Sequence, residues 1–248
     1  MNKKAITFGI TLVVVVLIAI GTSTYFFVRS REKVLQNTVT GDSILEFQEE
    51  IMKLKLYTEE SVKLAASQTL YELALRSFVN EQSCLVYRDR IVWGEDCNPS
   101  YLEERFLKKF EENFLLLMKE YPGDLEDYSY ELKNNILIIK SSDIEKKVVA
   151  DTNYSFIYSL DNLAEVDLMV IGINITEIEN MFGEVSQIKQ QCSSNINCIK
   201  TGLKLENWDF EVSEETGYLI FEMKTKKYHF VNKGGNMYFE KARMEFAI

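Results

Sequence analysis

The chain has little histidine, proline and glycine, and these shortages exclude several kinds of protein. Among 248 residues there are one histidine, His229, two prolines, Pro99 and Pro122, and 11 glycines. So few chain-breaking residues leave no long flexible linker. With one histidine, an active site of the Ser-His-Asp type could form only through His229. No glycine-rich phosphate loop, zincin motif or nucleophile elbow is present, and we predict no catalytic, cofactor-binding or metal-binding residues.

Acidic residues are plentiful, but their spacing does not define a site. Adjacent pairs such as Glu103-Glu104 are expected in a chain with 38 acids. A glycosidase needs two carboxylates about 5 to 10 Å apart in a cleft, which sequence spacing alone does not show. The acidic loops at residues 94–96 and 123–127 do not match the EF-hand pattern. An envelope hydrolase with a site of dispersed carboxylates or serines stays open as an alternative function.

Charge is distributed unevenly along the chain. The first 35 residues contain five bases and one acid, and the remaining residues contain 23 bases and 37 acids, a net charge of −14. Such a surface repels phosphate backbones and anionic lipid. We therefore predict no nucleic-acid partner, and solubility explains the acidic excess most simply.

The longest apolar run extends from Ala5 to Val28 and contains no charged residue. As a helix it would span roughly 36 Å, enough for the hydrocarbon core of a bilayer. Basic residues lie on both sides of it, including a basic tail at residues 1–4, and no other stretch is as long or as apolar. The run predicts a single-pass transmembrane anchor, with the rest of the chain on one side of the membrane.

Two other interpretations of this run are open. A secretory signal peptide has a short apolar core before a cleavage site, and Ala19-Ile20-Gly21 has the small residues of such a site. A pilin-type leader would be trimmed near Lys4-Ala5, but the early acidic residue of bacterial pilins is missing. The aromatic residues Tyr25-Phe26-Phe27 before Arg29 are typical of the belt that holds a span at headgroup depth, and they favour the uncleaved anchor.

The four cysteines form two close pairs in sequence, Cys84 with Cys97 and Cys192 with Cys198. Four cysteines allow three pairings, and the local spacing favours a disulfide within each pair. Zinc ligands would need narrower spacing and four converging groups. Free thiols in the core are the other alternative.

Disulfides indicate an oxidising, extracytoplasmic compartment for the residues after the anchor. The flanking charges leave the orientation open, because the basic residues on the two sides nearly balance. Two acceptor tripeptides agree with export and mark Asn153 and Asn174 as candidate glycosylation sites. We predict a cytoplasmic N-terminus and a C-terminal domain outside the cytoplasm.

Hydrophobic periodicity predicts an α+β fold after a stalk at residues 29–41. The domain, residues 42–248, has a helical part at 42–121 and a mostly β part at 128–248. The β part is expected to form an antiparallel sheet with one further helix. Helices first and antiparallel strands afterwards are typical of the α+β class.

The helical part contains two amphipathic helices, over residues 42–79 and 99–120. Asn98 is the predicted N-cap of the second helix, and Pro99 suits its first position. The predicted buried stripe of this helix includes Phe106, Phe110 and Phe114.

Alternating apolar residues predict the strands of the β part. The predicted strands are 128–132, 136–141, 154–160, 166–173, 208–212, 218–224, 228–231 and 238–248. The further helix opens at Thr176, where Glu179 would complete a capping box.

A hairpin between Cys84 and Cys97, with Arg88–Arg90 at its tip, is the predicted interaction surface. Its members are Tyr87, Arg88, Arg90 and Trp93. Tyrosine, tryptophan and arginine are enriched in protein interfaces. A solvated turn without a partner is the alternative.

Several features together resemble one group of membrane proteins. They are the basic start and apolar span, the helix LAASQTLYELA at 64–74, Cys84, Trp93, the segment Cys97–Ser100 before the phenylalanine-rich helix, and the Cys192–Cys198 pair before a β-rich end. In these features the chain resembles uncharacterised single-span membrane proteins of small-genome (DPANN) archaea. It departs from them at residues 77–80, where a glycine-rich step would be expected. The resemblance implies a membrane topology and no particular activity.

The chain is therefore predicted to be a membrane-anchored, extracytoplasmic cell-envelope protein that acts as a structural or protein-interaction module and is not an enzyme. Its partners would be the membrane, through residues 5–28, and an envelope protein or further copies of itself. The first alternative is a pilin-like filament subunit in which the span and the first helix form the fibre core.

Overall fold

The structure, a computed structural model, describes residues 41–79, 84–119, 128–141, 144–149, 153–158 and 162–248. The predicted basic tail, the membrane anchor at 5–28 and nearly all of the predicted stalk lie outside these residues. Within them, no helix is both long and apolar enough to cross a bilayer. The anchor therefore stays a prediction from the sequence.

The described elements include both helices and several small sheets, which confirms the predicted α+β class. The α-helices are α1 (Gly41–Leu75), α2 (Leu102–Met118), α3 (Ile175–Cys192) and α4 (Ile196–Gly202). The strands are β1 (Leu85–Tyr87), β2 (Arg90–Val92), β3 (Tyr128–Lys133), β4 (Ile136–Ser141), β5 (Ile144–Val149), β6 (Asn153–Tyr158), β7 (Ala164–Asp167), β8 (Trp208–Glu215), β9 (Tyr218–Thr225), β10 (His229–Lys233), β11 (Asn236–Glu240) and β12 (Arg243–Ala247). A short 3-10 helix, Leu168–Ile171, follows β7.

The chain divides into two compact units. One contains α1 up to Lys53 and the hairpin of β5 and β6, in which Glu145 lies opposite Ile157. The other contains residues 54–142 and 160–248 and includes both disulfides.

The larger unit contains a five-stranded sheet with the strand order β1-β2-β12-β9-β8. Its neighbouring strands are antiparallel except β2 and β12, which run parallel, so the sheet is mixed and not purely antiparallel as predicted. On its buried face, the Phe246 ring stacks on Trp93 at 3.6 Å and on Phe221 at 5.1 Å between centroids. These rings, with Met223 and Met244, form the core of the sheet.

A second part of the core lies where α2 contacts the three-stranded sheet β3-β4-β7. Phe106, Phe110 and Phe114 of the predicted stripe on α2 are fully buried, as is Leu102, which confirms them as core residues. Leu117, at the end of the predicted stripe, is only half-buried. Phe114 meets Tyr128 edge to face, with the ring centroids 5.3 Å apart, a geometry that aromatic pairs prefer. The periodicity of α2 therefore placed its apolar face correctly.

Helix α1 buries the face that its periodicity predicts. In the larger unit, its buried residues include Val62, Ala65, Ala66, Leu70 and Ala74. Asn113 of α2 is also buried, and its Nδ2 donates to Oγ1 of Thr69 on α1 at 3.0 Å. Because the buried amide has a partner, it avoids much of the desolvation cost and links the two helices at one position.

Two-residue turns close four of the described hairpins, and both residues of each turn have positive φ. The turns are Arg88-Asp89, Asn134-Asn135, Thr216-Gly217 and Gly234-Gly235. Positive φ at both positions is typical of the type I′ turn, whose twist matches that of paired strands. Three of these turns lie in the intervals between predicted strands, and the fourth lies at the predicted tip of the Cys84–Cys97 hairpin, although Arg90 belongs to β2.

Both predicted disulfides are present. Cys84 is bonded to Cys97, and the Cα atoms are 5.2 Å apart. Cys192, the last residue of α3, is bonded to Cys198 in α4, with the Cα atoms 5.5 Å apart. No cysteine is free in the part of the chain that the structure describes, so neither the free-thiol nor the zinc alternative applies.

The predicted start of α2 is wrong. The helix begins at Leu102, and its N-cap position is occupied by Tyr101, which has a φ of 55° and makes no side-chain cap. Asn98 caps no helix. Its Oδ1 accepts from the Ser100 N–H at 3.0 Å, and its Nδ2 donates to the Glu95 carbonyl at 2.8 Å. The Asn98 amide, predicted as the N-cap of α2, is therefore bonded within a turn.

Helix α3 begins one residue before the predicted start. Its N-cap is Asn174, whose Oδ1 accepts from the Glu177 N–H at 3.0 Å. Glu179 therefore completes no capping box. Its Oε1 instead accepts from the N–H groups of Leu102 and Glu103 in α2, at 3.0 and 3.3 Å. The carboxylate satisfies donors at the start of α2 that have no intrahelical acceptor.

Other boundaries also differ from the prediction. The strand predicted at 166–173 ends at Asp167, whose carboxylate accepts from the Met169 N–H and starts the 3-10 helix. The predicted strand 238–248 is two strands, because β11 ends at Glu240 and β12 begins at Arg243. Between them, Ala242 exchanges hydrogen bonds with Thr225 at the end of β9. Strand β5 and helix α4 have no counterpart among the predicted elements.

Candidate functional site

The predicted interaction surface lies on the hairpin of β1 and β2, which we call the first hairpin. The Tyr87 ring stacks on Tyr218 at 4.7 Å, and its hydroxyl is 2.6 Å from Oγ1 of Thr216. Nη1 of Arg88 forms an ion pair with Glu215 at 2.8 Å. The tip of the first hairpin is therefore attached to the β8–β9 turn of its own sheet.

Arg90 is surrounded by carboxylates of the same sheet. Its guanidinium is 3.2 Å from Glu245 and 4.0 Å from both Glu215 and Glu222. The positive charge of the first hairpin is thus largely compensated within the molecule. This leaves little charge for attracting an acidic partner to this surface.

Trp93 does not belong to the exposed surface, which corrects the prediction. Its side chain is 2% exposed, and its Nε1 donates to the Ser77 carbonyl at 3.2 Å. The Trp93 N–H donates to the Ala247 carbonyl at 2.8 Å, which continues the pairing of β2 with β12. This pairing holds the indole over Phe246, on the buried face of the sheet.

A larger exposed apolar surface lies on the hairpin of β10 and β11, which we call the aromatic hairpin and which includes the preceding Tyr228. Its exposed side chains are Tyr228 at 55%, Phe230 at 51%, Met237 at 51% and Phe239 at 58%. Phe230 lies opposite Phe239, with the ring centroids 4.8 Å apart, and Tyr228 stacks on Phe239 at 5.1 Å. Exposed apolar patches of aromatic residues and methionine are typical of interaction sites.

Strand β10 begins with large side chains on both of its faces, and only one of these faces is buried. His229 and Val231 alternate with the exposed aromatic residues and are buried. Because successive strand residues point to opposite faces, a strand that is apolar on both faces needs a partner on each side. Among the described residues, His229 and Val231 are covered, whereas Tyr238, which lies opposite Val231, is 44% exposed.

Side chains of α1 fix the position of the aromatic hairpin. Oε1 of Gln68 accepts from the Asn232 N–H at 2.7 Å, and its Nε2 lies 3.4 Å from the Asn232 carbonyl oxygen. One amide therefore pairs with the strand as a neighbouring backbone would. Nζ of Lys233 lies 5.0 Å from the Tyr71 ring centroid and forms an ion pair with Glu240. The exposed rings are thus held on a defined support.

An apolar groove lies between α1, α2 and the aromatic hairpin. It encloses about 230 Å³, and its apolar walls are Leu64, Ala65, Leu116, Leu117, Phe230 and Met237. Leu116 is 60% exposed at its edge. The groove continues the exposed surface of the aromatic hairpin onto a helix, so that three elements contribute to one apolar concavity.

A second cavity beside the aromatic hairpin is basic. It encloses about 440 Å³, and its lining includes Tyr71, Tyr228, Phe239, Lys233, Lys241 and Arg243. Residues 224–243 contain six bases and one acid, although the whole chain has a net charge of −10. This segment is therefore rich in positive charge within an acidic chain, and Asp209, which lies opposite Lys224, offsets part of it.

His229 is enclosed in the core. It is 2% exposed, and neither ring nitrogen has a hydrogen-bond partner in the described part of the chain. Burial, with the charge of Lys227 as a smaller cause, lowers the pKa of His229 from 6.5 to about 4. His229 therefore belongs to the buried core of the described fold.

Acidic residues do not converge on a metal in the described ranges. No group of three or more His, Cys, Asp or Glu residues there has the arrangement of a metal site. The acidic loop at 94–96 lies in the turn closed by the Gly94–Cys97 bridge, and the loop at 123–127 lies outside the described residues. The carboxylates around Arg90 are engaged with its guanidinium.

The two candidate glycosylation sites have different positions. Asn174 is half-buried, and its Oδ1 accepts both from Glu177 and, at 3.3 Å, from Nδ2 of Asn135. A glycan on Asn174 would have to leave this cap of α3 in place. Asn153 is the first residue of β6. Both sites stay predictions.

Comparison with known proteins identifies no relative: no protein-family model, curated protein or solved structure matches this chain. The resemblance to archaeal single-span proteins therefore stays a prediction.

The sequence contains a signal for the aromatic hairpin that the predicted strands obscure. Apolar or aromatic residues occupy both the odd and the even positions of the strand at 228–231, so they lie on both of its faces. Gly234-Gly235 then has the sequence of a two-residue hairpin turn. Pairing across that turn places Phe230 opposite Phe239. A single strand over 238–248 does not require this pairing, and it therefore misses the exposed surface.

Proposed function

We propose that this chain is a membrane-anchored protein of the cell envelope whose extracytoplasmic domain binds another envelope protein and performs no catalysis. The observation that supports this most is the apolar groove, where Leu116, Phe230 and Met237 are all more than half exposed. Monomeric proteins rarely expose large contiguous apolar patches, and such patches mark interaction sites.

The membrane and the compartment are supported by separate observations. The uncharged run at residues 5–28 has the length of a membrane span. The Cys84–Cys97 and Cys192–Cys198 disulfides favour an oxidising compartment, because cytosolic proteins keep their thiols reduced. Together they favour a domain that is tethered to the outer face of the membrane.

The shape of the groove favours a protein partner. Its walls belong to two helices and a hairpin, and its volume of about 230 Å³ suits one large apolar side chain. Anchoring side chains that fill such pockets dominate the energetics of many protein interfaces. The polar members of the lining are Gln68, Glu72, Asn113 and Asn232. Gln68 and Asn113 both donate to the Glu72 carboxylate, so this polar edge of the groove is bonded within the molecule.

Photo-crosslinking in native membranes tests this proposal. A photoreactive phenylalanine analogue replaces Phe230, and in a control protein it replaces Val86, which is exposed on the first hairpin. Each protein is also prepared with Leu116→Ser, which removes an exposed wall of the groove. We expect one adduct of defined mass at Phe230, at least tenfold weaker in the Leu116→Ser background and absent at Val86.

Three outcomes would contradict the proposal. The same adducts at Phe230 and Val86 would indicate non-specific contact. An adduct at Phe230 that is unaffected by Leu116→Ser would show that the groove does not bind the partner. An adduct of twice the chain mass would identify self-assembly, and would favour the filament alternative.

A further inference from the structure

We propose that the aromatic hairpin also docks on an anionic lipid surface through its basic side. This activity goes beyond the protein contact of the groove and uses other side chains. They are Tyr228 and Phe239, with the cations Lys224, Lys226, Lys227, Lys241 and Arg243. The predicted net negative charge of the domain makes such docking unexpected, and the local charge makes it favourable.

The lysines that precede the hairpin are held in place without being neutralised. Nζ of Lys226 donates to the Leu205 carbonyl at 2.9 Å, and Nζ of Lys227 donates to the Val170 carbonyl at 2.7 Å. A neutral carbonyl oxygen positions an ammonium group but does not cancel its charge. Both residues directly precede Tyr228 in the sequence and keep their charge.

Nearby acids offset only part of the positive charge. Glu240 forms an ion pair with Lys233, and Asp209 lies 3.6 Å from Nζ of Lys241. Arg243 and Lys224 lie directly opposite each other on β12 and β9, and Asp209 of β8 lies opposite Lys224 on its other side. Asp209 is thus the carboxylate next to both Lys224 and Lys241, and one acid faces three cations. Like charges at opposed strand positions are destabilising, so part of the repulsion between Arg243 and Lys224 remains.

The aromatic rings favour a lipid surface over an acidic protein. Tyr228 and Phe239 stack on each other, are more than half exposed, and line the same cavity as Lys241 and Arg243. Aromatic rings lie at headgroup depth, and neighbouring bases add attraction to anionic lipid. An acidic peptide would need the cations but would not need two exposed rings.

Hydrogen exchange of the full chain in lipid nanodiscs tests the proposal. One set of discs contains phosphatidylcholine, and the other contains an equal mixture of phosphatidylcholine and phosphatidylglycerol. Exchange is followed by mass spectrometry in residues 236–243 and, as an internal control, in the first hairpin at 85–92. We expect exchange at 236–243 to be at least about fivefold slower in the anionic discs than in the phosphatidylcholine discs, which is the effect of one cation at an anionic surface. At high salt, exchange in the anionic discs should return to the rate in the phosphatidylcholine discs. Exchange at 85–92 should be the same in both.

Matched variants assign the effect to side chains. Arg243→Glu removes one cation of the basic side, and Lys108→Glu makes the same charge change on the exposed surface of α2. Phe239→Ser removes an exposed ring, and Leu85→Ser removes an exposed apolar residue from the first hairpin. Only Arg243→Glu and Phe239→Ser should abolish the protection.

Two results would overturn the proposal. Equal exchange at 236–243 in the two kinds of disc would show that the hairpin does not dock on anionic lipid. Protection by poly-glutamate in phosphatidylcholine discs, equal to that of anionic discs and unaffected by Phe239→Ser, would identify an acidic protein as the partner. Neither result depends on the crosslink at Phe230, so failure here is distinguishable from failure of the groove as a protein-binding site.

Discussion

The start of α2 depends on a side chain of another helix, and removing that side chain is the sharpest test of the fold. Tyr101 occupies the N-cap position and makes no side-chain cap. Glu179 of α3 supplies the acceptor instead, to the N–H groups of Leu102 and Glu103. The perturbation is Glu179→Ala, which leaves both donors without a protein acceptor and removes a negative charge from the helix N-terminus.

The expected loss follows from these two contributions. Loss of a capping acceptor costs about 0.5 to 2 kcal/mol. Loss of a negative charge at a helix N-terminus costs about 0.3 to 1 kcal/mol. Glu179 also opposes the effect of burial, which lowers the pKa of Arg105, so its removal leaves that cation less favourably placed. We expect Glu179→Ala to lower the free energy of unfolding by about 1 to 3 kcal/mol.

Urea unfolding of the full chain in non-ionic detergent measures this change. The fluorescence of Trp93 and Trp208, which are both buried, reports on the larger unit. Glu184→Ala on the exposed side of α3 is the control and should change the free energy by less than about 0.5 kcal/mol. Glu179→Gln keeps an acceptor and should lie between the two. Equal unfolding free energies for Glu179→Ala and Glu184→Ala would refute the capping role.

Two further predictions concern the disulfides and the buried histidine. Mass spectrometry of the non-reduced protein should find Cys84 linked to Cys97 and Cys192 linked to Cys198. Replacing both cysteines of a pair by serine should lower the free energy of unfolding in urea, by about 3 kcal/mol for the longer loop at 84–97 and by about 2 kcal/mol for the loop at 192–198. Other linkages, or equal stability after replacement, would contradict this. Burial lowers the pKa of His229 from 6.5 to about 4, so protonation of this residue favours the unfolded state. The free energy of unfolding should be unaffected by His229 above pH 6.5 and should decrease as the pH falls toward 4, by about 3 kcal/mol from this residue. The His229→Phe variant should lack this part of the pH dependence, and an unchanged pH profile would show that His229 is not the cause.

Features that depend on neighbours in sequence were predictable. The apolar stripe of α2 follows from the spacing of Phe106, Phe110 and Phe114, because a helix returns to the same face every three or four residues. The turn at Asn134-Asn135 follows from residues that tolerate positive φ. The disulfides follow from cysteines that a short loop keeps close together.

Features that depend on distant residues were not predictable. Asn98 has the character of an N-cap, but contacts in a local turn occupy its side chain, and Glu179 acts as the cap from 77 residues away. Trp93 is of a residue type that is enriched in protein interfaces, but the pairing of β2 with β12 places it against Phe246. A tertiary contact therefore decided the position of Trp93, whereas the Asn98 side chain is bonded within its own turn.

The sequence by itself determined an uncharged segment of membrane length, two disulfide pairs and the α+β class, since these depend on composition and local spacing. Only the tertiary structure decided which apolar residues stay exposed and where positive charge accumulates. In β10, His229 and Val231 are covered, which leaves Phe230 and its partner Phe239 exposed on the opposite face. Net charge is a sum over the chain, whereas a binding partner meets the local field of Lys224, Arg243 and their neighbours, and that field depends on how the strands are paired.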